Sequence, residues 1–401
     1  MAGISFGLTR SLEAFGFNLY CYNESFEQFF ADAFRDVQDF VPTREFFESC
    51  RLRRLRTLRN YRLAEPSQLA GVYSLEVLCS DYPRLTQLIN EFEAITYEQF
   101  LEMKKRWLRQ MHLTWLVQGH LTQDEALNMV DIAEKALAYE PIPKSEVNFM
   151  RLVKLGDRSV YNFEEANVNE DNPNSCTESM WMYRFDKNVD DWAVSRVLCS
   201  FMEEPTFNTL RTQEQLGYIV RANLITKFRM LVFTILVQSS SKDADYLEHR
   251  INEFIASRKA EWDPTEEEVQ VIKDAVINKL KQKRTSLGAE ATFNWGEVSH
   301  EEYDFDSDLK KIAAIERVTK ERLIACFNEL FFNDCSRLNI KLFSHKHRDD
   351  TETRATSQEL NKIYYARKDL FGEGQEIVQM RHTDIENIRL FQKMHSLHPR
   401  L

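Results

Sequence analysis

The sequence predicts an α+β protein built from two tandem homologous domains, each an antiparallel-rich sheet with helices packed against it. Two observations support this prediction. A motif that precedes a long helical segment occurs twice along the 401 residues. Short apolar segments typical of strands alternate with longer segments of helical periodicity. A chain of this length is long enough for two domains of ordinary size.

The repeated motif is a proline–threonine pair between two amphipathic segments. It occurs as Pro42-Thr43 and again, 222 positions later, as Pro264-Thr265. Proline and threonine are favoured where helices begin. A second pair of predicted helix starts, at Thr96 and Thr319, is separated by a similar 223 positions. The helices predicted to precede the motif are Glu24–Val37 and Asp245–Arg258.

The repeat also predicts the domain boundaries. We expect a first domain at residues 1–140, a proline-bearing linker at 141–146, a second domain at 147–385 and a C-terminal tail at 386–401. The second copy opens with a section that the first copy lacks, so we expect the first domain to be truncated at its N-terminus. Such a domain would leave a sheet edge open for a partner or for oligomerisation. The segments predicted to be strands are His112–Val117, Ser159–Phe163, Ser179–Phe185 and Leu338–Phe343, and a further helix is predicted at Trp192–Met202.

Composition and charge exclude several classes of protein. The net charge is −11 and both signs are mixed along the chain, which argues against a nucleic-acid partner. No apolar run reaches the roughly 18–20 residues of a membrane span, so no membrane partner is expected. The seven cysteines are scattered without a C-x-x-C pair, which predicts reduced thiols and a cytoplasmic protein.

A polar motif lies at Phe207–Val220 (FNTLRTQEQLGYIV), between two apolar segments. We expect Pro205 to break the preceding helix and to begin a short new one. Gly217 is expected to end that short helix. Tyr218 would then begin a strand that pairs with Met230–Gln238.

This arrangement would direct Arg211 and Tyr218 into one cleft. A guanidinium and a phenol there could both donate to a carbonyl oxygen that gains negative charge. The alternative interpretation is structural: Arg211 caps carbonyls at the helix end and Tyr218 packs against its neighbours.

The motif closely resembles the signature F-N-x-L-R-x-x-x-Q-L-G-Y-x-V of the insulysin–nardilysin–pitrilysin group of zinc metallopeptidases, the inverzincins. Further resemblance lies in Arg53–Ala70, Phe293–Val298 and Glu302–Asp306. It extends from about Gly7 to about Lys341. Enzymes of this group have four homologous αβ domains in two halves that close around a peptide. The resemblance implies that this chain corresponds to the C-terminal half.

The resemblance also implies roles for individual residues. The positions matching Arg211 and Tyr218 reach the scissile carbonyl, and those matching Phe207 and Asn208 contact the peptide substrate. The C-terminal half carries a basic site for polyanions, which would correspond here to Lys281, Lys283 and Arg284. The alternative for these three cations is that they oppose the negative end of a helix dipole.

The zinc motif of this group, H-x-x-E-H, is missing from the sequence. His300-Glu301-Glu302-Tyr303-Asp304 only begins like a zinc motif, and the pair His345 and His347 has no nearby third ligand. We therefore expect no metal and no cofactor on this chain, zinc on an N-terminal catalytic half, and no activity of the chain alone. That half would be the partner, from the same gene or a separate chain. A non-catalytic scaffold or regulatory module of the same superfamily is the alternative function.

Overall fold

The computed structural model describes residues 4–11, 13–22, 26–147, 149–184, 188–227, 229–333, 336–372, 375–381, 391–393 and 395–398. Much of the predicted C-terminal tail lies outside these residues. The α-helices in the described part of the chain are α1 (Phe26–Asp39), α2 (Arg44–Arg62), α3 (Pro66–Leu78), α4 (Leu85–Ala94), α5 (Tyr97–Arg109), α6 (Gln123–Leu137), α7 (Val189–Thr206), α8 (Ala244–Glu261), α9 (Glu266–Leu280), α10 (Leu287–Ser299), α11 (Ser307–Glu316), α12 (Lys320–Asn328), α13 (His345–Asp349), α14 (Thr351–Tyr365) and α15 (Lys368–Phe371). The strands are β1 (Ser5–Arg10), β2 (Phe15–Tyr20), β3 (Gln110–Met111), β4 (Glu140–Pro141), β5 (Ser159–Ala166), β6 (Ser175–Arg184), β7 (Ile219–Lys227), β8 (Met230–Ser239), β9 (Ser336–Phe343) and β10 (Glu376–Arg381).

The chain divides into two compact units, neither of which is continuous in sequence. Unit 1 comprises residues 1–61, 81–150 and 284–303, and unit 2 comprises residues 62–80, 151–283 and 304–401. The helix α3 therefore belongs to unit 2, and α10 belongs to unit 1. The domain boundaries expected from the sequence stay a prediction.

The predicted helix starts at both proline–threonine motifs are confirmed. The hydroxyl of Thr43 accepts a hydrogen bond of 3.1 Å from the backbone N–H of Phe46 at the start of α2. Thr265 caps α9 through a capping box with Glu268, in which each side chain bonds the backbone N–H of the other residue. These hydroxyl and carboxylate groups satisfy N–H groups that have no partner within their own helix.

One hydrophobic cluster of unit 1, the α1–α6 core, lies between α1 and α6. Phe30 and Phe34 of α1 are buried against Ala133 and Leu137 of α6. Strand β2 contributes Phe17, whose ring meets that of Phe34 edge-on at 5.3 Å. Aromatic pairs in this geometry stabilise a core beyond the area that they bury.

The strand predicted at His112–Val117 is wrong, because only Gln110–Met111 pairs, in parallel with the equally short β4. A strand needs a neighbour that satisfies its backbone groups, and β4 ends after two residues. Leu113 and Trp115 pack against the α1–α6 core instead.

Unit 2 is built on a mixed six-stranded sheet in the order β10-β5-β9-β6-β8-β7. The pairs β9–β6, β6–β8 and β8–β7 are antiparallel, whereas β10–β5 and β5–β9 are parallel. Every residue of β8 is buried, because helices cover both faces of the sheet. On β6 the side chains alternate: Trp181 faces the large core beneath α7 and α8, and Met180 faces α3. The α+β class predicted from the sequence is confirmed.

No helix in the described part of the chain is both long and apolar enough to span a membrane.

Candidate functional site

The polar motif begins inside a helix that changes its hydrogen-bonding pattern. Helix α7 passes through Pro205 and continues as a π-helical segment at Phe207–Gln213. The helix break expected at Pro205 is therefore wrong. Proline lacks an N–H and its ring crowds the carbonyl four residues earlier, but the turn that follows is widened. The N–H of Phe207 bonds the carbonyls of both Glu203 and Glu204, so the chain stays helical through the change.

The segment after the π-helical turn is fixed by backbone contacts. The N–H of Glu214 bonds the carbonyl of Thr209 at 3.0 Å, which closes the last π turn. Gln215 then adopts a positive φ of 51° and reverses the chain, and Leu216 is buried. The helix stop expected at Gly217 is thus wrong, since the reversal lies two residues earlier.

Gly217 has a different role, which is to allow the loop to approach strand β8. A Cβ atom at this position would lie 1.8 Å from the carbonyl oxygen of Gln238. Only glycine permits this approach, and the approach sets the start of the next strand. Ile219 pairs with Gln238 in the antiparallel ladder of β7 and β8, as the sequence predicted for this hairpin.

The structure brings Arg211, Phe207 and Tyr218 together. The guanidinium carbon of Arg211 lies 4.8 Å from the ring centre of Phe207 and 5.3 Å from that of Tyr218. A guanidinium near two aromatic faces is held by cation–π attraction, which leaves its N–H groups free to donate elsewhere. Phe207 is 42% exposed and Tyr218 is 89% exposed, so neither ring belongs to the core.

The donors of this cluster are not used within the described part of the protein. Neither the guanidinium of Arg211 nor the hydroxyl of Tyr218 forms a hydrogen bond or an ion pair with a described residue. The structural alternative, in which Arg211 caps helix carbonyls, is therefore not what the described residues show. Asn208 is exposed on the π-helical segment.

Arg211 and Tyr218 line one open pocket of unit 2, with a cavity volume of about 660 Å³. Phe207 and Asn208 are not part of its lining, so the four residues singled out in the sequence divide into two pairs. The pocket also includes residues outside the polar motif, among them Glu65, Asn174 and Gln238.

A hydrogen-bonded group forms one wall of this pocket. The Oε2 atom of Glu65 accepts from Gln238 Nε2 at 3.0 Å and from Asn174 Nδ2 at 3.1 Å. The Oε1 atom of Gln238 accepts from the backbone N–H of Ser67 at 2.9 Å. These residues lie far apart in sequence, and only the pairing of the sheet and the packing of α3 bring them together. No local sequence signal could have identified them.

The three histidines of the incomplete zinc-like patterns, His300, His345 and His347, have other partners. The Nε2 atom of His345 lies 2.9 Å from the carbonyl oxygen of Asn167, and the Nδ1 atom of His347 lies 2.9 Å from the hydroxyl of Ser175. His300 is exposed, and its Nδ1 atom lies 2.7 Å from the carbonyl oxygen of Gly296. The described residues contain no group of three or more His, Cys, Asp or Glu side chains placed to hold a metal ion.

The residues of the expected polyanion site lie at and beyond the end of α9. Lys281 is the C-cap residue of this helix, and both Lys281 and Lys283 are exposed. The guanidinium carbon of Arg284 lies 3.4 Å from the ring centre of Phe293, and its Nη1 atom lies 3.9 Å from Glu290. The polyanion site stays a prediction.

Comparison with known proteins supports the resemblance seen in the sequence. The family profile described as "PQQ synthase PqqF-like, C-terminal lobe domain 4" matches residues 197–295, which include the polar motif. The human insulin-degrading enzyme is 27% identical over 348 residues, a stretch that covers 84% of this chain and 33% of that enzyme. The chain therefore spans about a third of the length of this relative.

Solved structures show the same fold. Pitrilysin superposes with a TM-score of 0.76 at 18% identity, and the match covers 99% of this chain and 39% of the pitrilysin chain. An inactive domain of a peptidase M16 from Pseudomonas fluorescens superposes with a TM-score of 0.60 at 12% identity, covering 86% of this chain and 81% of that domain. Together these matches confirm that the chain is similar to the C-terminal half of the peptidases of the insulysin–nardilysin–pitrilysin group.

Proposed function

We propose that this chain is the non-zinc-binding half of an insulysin-like metalloendopeptidase, and that it closes the peptide chamber and supplies contacts to the transition state. The observation that carries the proposal is the placement of Arg211 and Tyr218. Both line one open pocket, their side chains are in contact, and their donor groups are free of described partners. Two such donors suit a carbonyl oxygen that becomes negatively charged during peptide hydrolysis.

The zinc chemistry of the proposed reaction would come from a partner. Peptide hydrolysis in this group uses a zinc ion to polarise the carbonyl and activate water. The described residues offer no ligand set for it, so the zinc would belong to an N-terminal catalytic half. Peptides would be the substrates. The cytoplasm is the proposed location, and six cysteines in the described part of the chain are free thiols.

We also propose that the chain contains two homologous copies of one domain. Four successive helices of the first copy, α2 to α5, have counterparts in α9 to α12. Each helix begins between 221 and 223 positions after its counterpart: 44 and 266, 66 and 287, 85 and 307, and 97 and 320. An offset that varies by only two positions over four helices supports duplication better than motif matches alone.

The proposed function is tested by reconstitution. The chain is mixed with a zinc-bearing N-terminal half from this group, and turnover of a quenched peptide is measured. We expect no turnover from the chain alone and zinc-dependent turnover from the mixture. Tyr218→Phe removes one donor and keeps the ring, so kcat should fall by about 10²–10³ with little change in KM. Tyr303→Phe, an exposed tyrosine in unit 1, serves as the matched control and should leave kcat unchanged.

A second candidate function is a non-catalytic scaffold or regulatory module, which the similarity to an inactive peptidase M16 domain favours. A scaffold would have no use for the hydroxyl of Tyr218. Turnover of the Tyr218→Phe mixture within about twofold of wild type, with zinc occupancy verified, would decide for the scaffold and against the proposed catalytic contacts.

A further inference from the structure

The pocket that contains Arg211 also contains an acidic side chain that the proposed function does not use. Glu65 lines the same pocket, and the two side chains form no ion pair with each other. Opposite charges that share an open pocket without pairing leave room for a ligand between them. A ligand that places a polarised carbonyl at Arg211 and a positive charge at Glu65 would complement both groups.

The carboxylate of Glu65 has a fixed orientation. Its Oε2 atom accepts from the amides of both Gln238 and Asn174. Gln238 is itself only 7% exposed, and the backbone N–H of Ser67 holds its amide in place. An acceptor that is held by a buried amide is oriented before any ligand arrives, so binding loses less side-chain entropy.

The second oxygen of Glu65 remains available. The Oε1 atom has no hydrogen-bond partner among the described residues. Glu65 is the N-cap residue of α3, yet its side chain makes no capping hydrogen bond to that helix. The Oε1 atom of Glu65 is thus a charged, oriented acceptor that no described residue uses.

We propose that Glu65 determines substrate specificity by binding a cationic group of the peptide next to the bond that is cleaved. The inference rests on the proposed function for the position of the scissile carbonyl at Arg211 and Tyr218. The cation would lie on the Glu65 side of the pocket, away from the like charge of Arg211. The group is an ammonium or guanidinium, either from a lysine or arginine side chain or from a free peptide N-terminus.

The test measures peptide binding to the full chain by fluorescence anisotropy, which needs no zinc half. The probes are N-acetylated alanine-based peptides that carry one lysine at successive positions, each matched by a peptide with the isosteric neutral residue norleucine. We expect one lysine peptide to bind about fivefold to tenfold more tightly than its norleucine counterpart. The measured quantity is the ratio of the affinity for the lysine peptide to that for its norleucine counterpart. Glu65→Gln, whose amide oxygen can still accept from Gln238 and Asn174, should bring this ratio close to one. Glu204→Gln, an exposed glutamate outside the pocket lining, is the control and should keep the ratio.

Two further arms complete the test. Glu65→Lys should reverse the preference, so that a glutamate peptide binds more tightly than its neutral counterpart. A peptide without lysine and with a free N-terminus separates the two sources of the cation: tight binding that acetylation abolishes would assign the site to the terminal ammonium. Circular dichroism verifies that each variant is folded.

The inference is overturned if no lysine position is preferred, if no peptide binds, or if Glu65→Gln keeps the wild-type ratio. Its failure is separate from failure of the proposed function. A ratio that depends on Glu65, together with normal turnover of the Tyr218→Phe mixture, would contradict the proposed function alone. If Tyr218→Phe strongly lowers turnover but Glu65→Gln leaves the affinity ratio unchanged, only the inference is contradicted.

Discussion

The guanidinium carbon of Arg211 lies 5.3 Å from the ring centre of Tyr218, although one residue belongs to a π-helical segment and the other precedes strand β7. The contact orients the guanidinium through the face of an aromatic ring rather than through hydrogen bonds. A group oriented in this way keeps its planar set of donors for a ligand.

This contact between Arg211 and Tyr218 predicts that Arg211→Lys lowers catalytic activity. An ammonium keeps the charge but cannot reproduce the planar fork or its stacking on Phe207 and Tyr218. In the reconstituted mixture we expect kcat to fall by about 10², close to the loss of one oxyanion donor. Arg35→Lys, at an exposed arginine of α1, is the control and should leave kcat unchanged. A lower melting temperature with normal kcat would show that Arg211 is structural instead.

Gly217→Ala should disturb the site through the backbone. The new Cβ would meet the carbonyl oxygen of Gln238 at 1.8 Å, and that carbonyl belongs to the buried strand β8. The loop must shift instead, at a cost of about 1–3 kcal/mol in unfolding free energy, and Tyr218 moves with it. Gly296→Ala, where a Cβ meets nothing within 4 Å on helix α10, should stabilise by about 0.5–1 kcal/mol. Urea titration measures the stability of both variants, and their kcat is measured in the reconstituted mixture. A wild-type kcat in Gly217→Ala would contradict the predicted displacement of Tyr218.

The pair of Glu214 and Arg250 should act as a positioning element. Arg250 Nε and Nη2 donate to the two carboxylate oxygens of Glu214 at 2.7 and 2.9 Å, which ties the end of the π-helical segment to α8. This hydrogen bonding also raises the pKa of Arg250. Without the tie, Arg211 and Tyr218 would lose their relative placement, and small misplacements reduce catalysis strongly.

We therefore expect Glu214→Gln and Arg250→Lys each to lower kcat in the mixture by about tenfold, since hydrogen bonds between charged groups are worth about 1.5–3 kcal/mol. The charge-swapped double variant, Glu214→Arg with Arg250→Glu, should recover part of kcat. A merely structural pair would instead lower the melting temperature and leave kcat of the folded fraction intact.

The sequence predicted some local features of the site, but it missed the π-helical turn and the contacts that depend on distant packing. Threonine caps and strand pairing follow short-range rules, so the starts of α2 and α9 and the β7–β8 hairpin were predictable. The π-helical turn was not, because the proline at 205 is typical of a helix break and no residue pattern marks a widened turn. Glu65 could not be found either, since its partners Asn174 and Gln238 lie more than a hundred residues away.

A buried ionic network in unit 2 was also invisible in the sequence. Lys341 of β9 is 1% exposed, and its ammonium lies 2.8 Å from Asp245 and 2.5 Å from Glu248 of α8. Arg354 of α14 lies 3.2 Å from Asp245 as well. The sequence predicts this strand from its apolar residues alone. Its charged residue is accommodated because α8 places two carboxylates opposite it.

Lys341→Met should destabilise unit 2 by about 3–5 kcal/mol, because it leaves buried carboxylates without their main counterion. Lys362→Met removes an exposed lysine of α14 that pairs with Glu359 on the surface, and it should change the unfolding free energy by less than about 0.5 kcal/mol. Urea titration followed by tryptophan fluorescence measures both. Equal effects of the two substitutions would contradict the importance of the buried network.

The pH dependence of this difference follows from the pKa shifts. Burial alone would lower the pKa of Lys341, but Asp245 and Glu248 outweigh burial and raise it above its usual range. Burial alone would raise the pKa of Asp245, but Lys341 and Arg354 outweigh it and hold the pKa below its usual range.

In the wild type the contribution of the Asp245 carboxylate to stability is present above its unfolded pKa of about 3.9, and it is lost as the pH falls through the lower folded value. The lysine's contribution is present below about 10.4 and is lost as the pH rises through its higher folded value. In Lys341→Met the carboxylate of Asp245 lacks this counterion, so protonation of Asp245 at acidic pH costs the variant less stability than it costs the wild type. We expect the gap in unfolding free energy between wild type and variant to be widest near neutral pH and to narrow toward pH of about 4. A gap that stays constant over this range in the urea titrations would contradict the ionic origin of the effect.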